Sequence, residues 1–97
     1  MDRAAVNSLM KEATSGDGQA YAALASMVQD ELYRFAIAQG LDREHAADAT
    51  QDVLMRAYAR LSAWKPGSDA LAWLCGITLN VVRETKRKEL RQKRSWM

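Results

Sequence analysis

Punctuation most restricts what this chain can fold into. One proline and five glycines serve 97 residues, and four of those glycines fall at breaks between helix-like runs. No alternating strand-like pattern fills the intervals; apolar residues recur instead at three- and four-residue spacing. The chain therefore reads as all-α, a compact bundle of about four helices with a basic C-terminal helical extension. The first helix spans about 2–13, with Val6, Leu9 and Met10 as its apolar side. Ser15-Gly16-Asp17-Gly18 ends it, and Asp17 stands where an N-cap belongs. A second helix covers about 18–39, with Tyr21, Leu24, Val28, Leu32 and Phe35 expected in the core, and Gly40 closes it. Asp42 caps a third, about 43–63, whose expected buried line is Ala46, Thr50, Val53, Ala57, Leu61 and Trp64. Lys65-Pro66-Gly67 breaks the chain again. Ser68 is then expected to cap a fourth helix, from about 69 to the low 90s, with Leu71, Leu74, Thr78, Val81 and Val82 on its core side.

No internal repeat or linker divides the chain, so residues 1–97 read as one small domain. A hydrophobic share of 48% is enough for a helical core. A single cysteine (Cys75) and a single histidine (His45) argue against a disulfide framework or a metal site, and no cofactor is expected. Cys75 reads as a small buried thiol and His45 as a solvated side chain. No apolar run reaches the roughly 18 residues of a membrane span, and the first residues lack a signal-peptide pattern. A soluble, intracellular protein is expected. Paired carboxylates with a base, a nucleophile–histidine set and a metal cluster are all missing from the pattern, so no enzyme activity is expected.

Charge is unevenly placed. Residues 83–94 hold seven Lys/Arg and two Glu, a net +5, while the rest of the chain carries −3. Either this end is a cationic arm for a polyanion or it is a solvated helix end that suits the helix dipole. Within the fourth helix, Trp73, Gly76, Asn80, Arg83, Arg87 and Arg91 follow at steps of three or four, so they share one face. An aromatic, an amide and three guanidinium groups on solvent suit unpaired bases and phosphates. Trp73 can stack on a base or fold back onto Trp64.

On the third helix, Asp48, Gln51, Asp52 and Met55 lie opposite the buried line. Methionine beside acids and an amide suits helix-to-helix contact with a basic partner, although scattered apolar surface residues also occur without function. The loop from Ala63 to Asp69 feeds the N-terminus of the fourth helix. It is either a tight turn or a place where backbone N–H groups grip a phosphate or a flipped base.

Taken in order, these segments resemble region 2 of bacterial sigma factors, nearest to the extracytoplasmic-function type of the sigma-70 family. The residues that carry the resemblance run Asp48-Ala-Thr-Gln-Asp-Val-Leu-Met-Arg-Ala-Tyr58, then Leu61, Trp64 and Gly67, then Ala72-Trp73-Leu74 with Ile77 and Asn80. Ala20-Tyr21 with Leu24, and Leu32 through Ala36, are similar to the start of that domain, so the likeness covers about 17–90. Asp52 stands where the family usually has Glu, Leu54 where it has Phe, and Thr78-Leu79 where it has alanine and a basic residue.

The resemblance implies a transcription initiation factor domain in the bacterial cytoplasm, with no catalytic group of its own. Asp48, Gln51, Asp52, Met55 and Arg56 would dock on the clamp helices of the core RNA polymerase β′ subunit. Lys65, Gly67, Ser68, Asp69, Trp73 and Asn80 would trap an unpaired base of the promoter −10 element as single-stranded non-template DNA. Arg83, Lys86, Arg87 and Arg91 would contact phosphates, which position rather than specify. An anti-sigma factor is a possible partner. Family members carry a second, helix-turn-helix domain, region 4, absent from this chain, so a fragment of a longer protein is expected. Two other readings compete. One is a protein-interaction bundle whose basic helix meets an acidic regulatory partner. The other, lying on an anionic membrane, is weaker because the basic end offers only Leu90 and Trp96 as apolar anchors.

Overall fold

The computed structural model describes residues 1–95, so Trp96 and Met97 lie outside the described residues. Four α-helices follow one another: α1 (Arg3–Thr14), α2 (Gly18–Ala38), α3 (Arg43–Ala59) and α4 (Ala70–Ser95), with a short 3-10 turn at Leu61–Ala63. The chain starts each of the first three as the cap residues require. Asp2, Asp17 and Asp42 are extended, and their carboxylates accept from Ala5, from Gln19 and Ala20, and from His45. α2 ends in a Schellman arrangement: Leu41 N–H reaches back to Ala36 C=O, Gly40 N–H to Ile37 C=O, and Gly40 takes φ +105°.

Each helix contributes one stripe to a shared core. Val6, Met10, Leu24, Val28, Leu32, Ala36, Ala46, Val53, Ala57 and Leu74 have no exposed surface. Removing that much apolar surface from water is the main term holding the bundle together. The two buried threonines satisfy themselves within their own helices: Thr50 Oγ1 donates to Ala46 C=O and Thr78 Oγ1 to Leu74 C=O, both at 2.8 Å. Tyr21 donates its hydroxyl to Leu54 C=O across the α2–α3 packing, and burial pushes its pKa up to about 12.

Three expectations need correction. Phe35 is only half-buried. The α2 contact line steps by four from Leu24 to Ala36, and each step overshoots a full turn by about 40°, leaving Phe35 at its edge. The third helix stops at Ala59 rather than 63, because Arg60 leaves helical geometry and the last carbonyls are met by a tighter turn. Leu61 is half-buried as a result, while Trp64 still seats in the core at 4% exposure. Finally, α4 is not capped by Ser68. Asp69 Oδ2 accepts from Ala72 N–H, and Ser68 turns its hydroxyl to Lys65 C=O.

α4 buries residues only as far as Val82, and the rest of its 26 residues runs on past the core. The molecule is consequently elongated, 50 × 23 × 21 Å. No helix among the described residues is long and apolar enough to cross a membrane.

Candidate functional site

The α4 stripe faces outward. Gly76, Asn80, Arg83, Arg87 and Arg91 are exposed, and Trp73 is half-buried with one side packed on the core. Trp73 does not stack on Trp64; among the described residues the aromatic pair is Tyr21 with Tyr58, centroids 5.0 Å apart. Arg83, Arg87 and Arg91 stand about 6 Å apart along the helix axis, four residues at 1.5 Å each. This is a regular ladder of permanent charge, and no ion pair among the described residues occupies it.

Lys86 stands apart from that ladder. It sits about 100° around the helix from Arg87, and its ammonium donates to Gln39 C=O at the end of α2. The close approach works because Gly40 has no side chain: a Cβ there would lie 2.9 Å from the Lys86 nitrogen. Lys86 therefore belongs to the join between α2 and α4 rather than to the arginine ladder.

The loop before α4 is held in a defined turn. Ser68 N–H closes a turn on Lys65 C=O at 3.0 Å, with Pro66 fixing one central residue and Gly67 at φ +93° supplying the other, the requirements of a type II turn. Lys65, Pro66, Gly67 and Ser68 are all exposed. The helix N-terminus beneath them is already engaged. Ala70 N–H donates to Asn7 Oδ1 at 2.8 Å, Ala72 N–H to Asp69, and Trp73 N–H to Asp69 C=O. Phosphate binding by those three first-turn amides, open from the sequence, is thereby displaced. Asp69 is tied further by Arg3, 3.0 Å away.

α3 presents the other surface. Asp48, Gln51 and Met55 point to solvent, Met55 with 66% of its surface exposed. Arg56 does not stand free beside them. Its guanidinium binds Asp52 at 3.1 Å through two nitrogens and Glu84 of α4 at 2.7 and 3.0 Å. That double fork draws the Glu84 carboxyl below its ordinary range and raises Arg56 still further. The Asp52–Arg56–Glu84 chain thus marks the seam between the α3 face and the α4 ladder.

His45 is a further correction to the solvated reading. Its Nδ1 lies 2.9 Å from Asp42 and 3.3 Å from Glu89 of α4. The Asp42–His45 spacing of three could have suggested half of this; nothing local points to Glu89. Cys75 is half-buried rather than buried, and desolvation pushes its thiol pKa up. Trp64 Nε1 is buried with no acceptor among the described residues, a local cost under the loop.

A family model described as sigma-70 region 2 matches residues 24–92. An "ECF RNA polymerase sigma factor EcfG" from Rhodopseudomonas palustris is 38% identical over 61 residues, 63% of this chain and 34% of that protein. A "probable RNA polymerase sigma-C factor" from Mycobacterium bovis and an "ECF RNA polymerase sigma factor SigC" from Mycobacterium tuberculosis are each 32% identical over 83 residues, 86% of this chain and 44% of those proteins. The chain spans less than half the length of these relatives. The family match takes in α3, the loop, and most of α4, and it excludes α1.

Proposed function

The chain belongs to the sigma-70 region 2 family, and on that premise we propose that it docks on the β′ clamp of bacterial core RNA polymerase through α3 and holds melted promoter DNA along α4. The observation that carries this reading is the pair of outward surfaces of different chemistry on adjacent helices. Asp48, Gln51 and Met55 offer acid, amide and a flexible apolar contact to a basic partner helix. Asn80 and the exposed edge of Trp73, with Lys65, Gly67 and Ser68 in the exposed loop that precedes α4, offer hydrogen bonding and stacking to an unpaired base. Unstacking a base costs a few kcal/mol, offset by those contacts and by the arginines on the backbone. Arg83, Arg87 and Arg91 serve phosphates. The partners are then core polymerase, the non-template strand of the −10 element and, for control, an anti-sigma factor, all in the cytoplasm.

Docking is tested by pull-down of core polymerase with Gln51→Ala/Met55→Glu, two side chains that the fold does not use. Capture should be lost while helicity and single-stranded DNA binding persist. Retained capture would overturn the α3 assignment. Asp52→Arg is a poorer probe, because it would also remove the Asp52–Arg56 bonds and set a second cation beside Arg56. On the DNA side, single strands should bind more tightly than the same sequence as duplex; indifference between DNA and an acidic polypeptide would favour the bundle with an acidic partner instead.

A further inference from the structure

α1 makes two directed contacts with the start of the DNA-facing helix. Arg3 and Asn7 are four residues apart, so they project from the same side of α1. Arg3 Nη1 lies 3.0 Å from Asp69 Oδ2, and Asn7 Oδ1 accepts the Ala70 N–H at 2.8 Å, across 63 residues of sequence. α1 is itself firmly seated, since Val6 and Met10 have no exposed surface. At the other end of the loop Trp64 is buried. Lys65–Ser68 therefore forms a short exposed arch clamped on both sides, by the core at Trp64 and by α1 at Asp69–Ala70.

We infer that Asn7 is a positioning residue for base recognition, with the Arg3–Asp69 pair as its support, so that α1 sets where the 65–69 loop stands at the head of α4, one turn before Trp73. The inference rests on the nucleic-acid reading of α4 given above. Residue chemistry fits the task. An asparagine oxygen satisfies a first-turn amide without adding charge, whereas a second carboxylate beside Asp69 would repel a strand approaching the arch. Arg3 draws on Asp69 from the α1 side, which holds that carboxylate in its capping place. Loss of either contact frees the loop hinge while leaving the arginine ladder untouched. Base preference and backbone affinity should then separate.

The test uses a fluorescent single-stranded oligodeoxynucleotide that the wild-type chain selects from a random pool, with its scrambled version as control. Anisotropy gives the ratio of the two affinities. Asn7→Ala should lower that ratio about fivefold, the scale of one lost hydrogen bond, with affinity for the scrambled strand unchanged. Asn7→Asp, which keeps the acceptor, should restore the ratio even if both strands bind more weakly. Arg3→Ala, at an exposed position, should lower the ratio in the same direction without loss of helicity. A wild-type ratio in both Asn7→Ala and Arg3→Ala would overturn the inference, as would a proportional loss for both strands. A wild-type chain that shows no preference between the strands would instead overturn the DNA reading on which the inference stands.

Discussion

Replacing Arg83, Arg87 and Arg91 together by alanine removes the outward ladder and little else, since all three side chains are exposed and none is paired among the described residues. On single strands each neutralised phosphate contributes about 0.7 to the slope of log affinity against log salt. Three give a slope of about 2, so a fourfold rise in salt weakens binding about 20-fold through the ladder alone. The triple variant should lose that portion of the slope, and each single variant about a third of it. Anisotropy with a labelled single-stranded oligonucleotide at four or five salt concentrations measures it directly. A triple variant with the wild-type slope would refute the reasoning and move the phosphate contacts to Lys88, Lys93 and Arg94.

Other consequences follow from the same geometry. Gly76→Ala should raise stability by about 1 kcal/mol, because a Cβ there meets nothing within 4 Å and alanine is the better helix former; an unchanged thermal midpoint would contradict this. Leu74→Ala, at a position with no exposed surface, should cost about 3 kcal/mol in urea unfolding. The His45 ring is held above its ordinary 6.5, chiefly by its hydrogen bond to Asp42, with attraction from Asp42, Glu89 and Glu44 adding to it. The stability it confers is therefore complete below that unfolded value and is lost as pH rises through the folded one. The thermal midpoint should fall across that window, and His45→Gln should flatten the fall. Glu84 behaves oppositely: its bond to Arg56 lowers its pKa, so its contribution holds above the ordinary 4.5 and fades on acidification.

Much of this architecture was legible because it is periodic or local. Breakers at 15–18, 40 and 65–67 divide the chain, and the spacing of Asn80, Arg83, Arg87 and Arg91 puts them on one face of α4, turned to solvent because the bundle buries the apolar stripe of Leu71, Leu74, Val81 and Val82. Asp17 and Asp42 announce their helices by position. What escaped is long-range polar pairing, which leaves no repeat to detect. Asn7 capping Ala70, Arg56 bridging to Glu84 and His45 meeting Glu89 each join helices far apart in sequence. Lys86 shows the limit of charge counting. It lies within a basic run, yet one residue of helical rotation away from Arg87 turns it toward the carbonyl end of α2. Trp73 was ambiguous from spacing alone, and it remains shared between core and surface because it lies at the boundary of both stripes.

The division of labour between α3 and α4 can be tested most directly by photocrosslinking. A benzophenone amino acid replaces either Met55 or Asn80 in the chain, mixed with core polymerase and its selected single-stranded oligonucleotide. The account predicts that the probe at Met55 labels β′ and leaves the DNA untouched, while the probe at Asn80 labels the DNA. Adducts in the reverse sense, or β′ labelled from both positions alike, would contradict it.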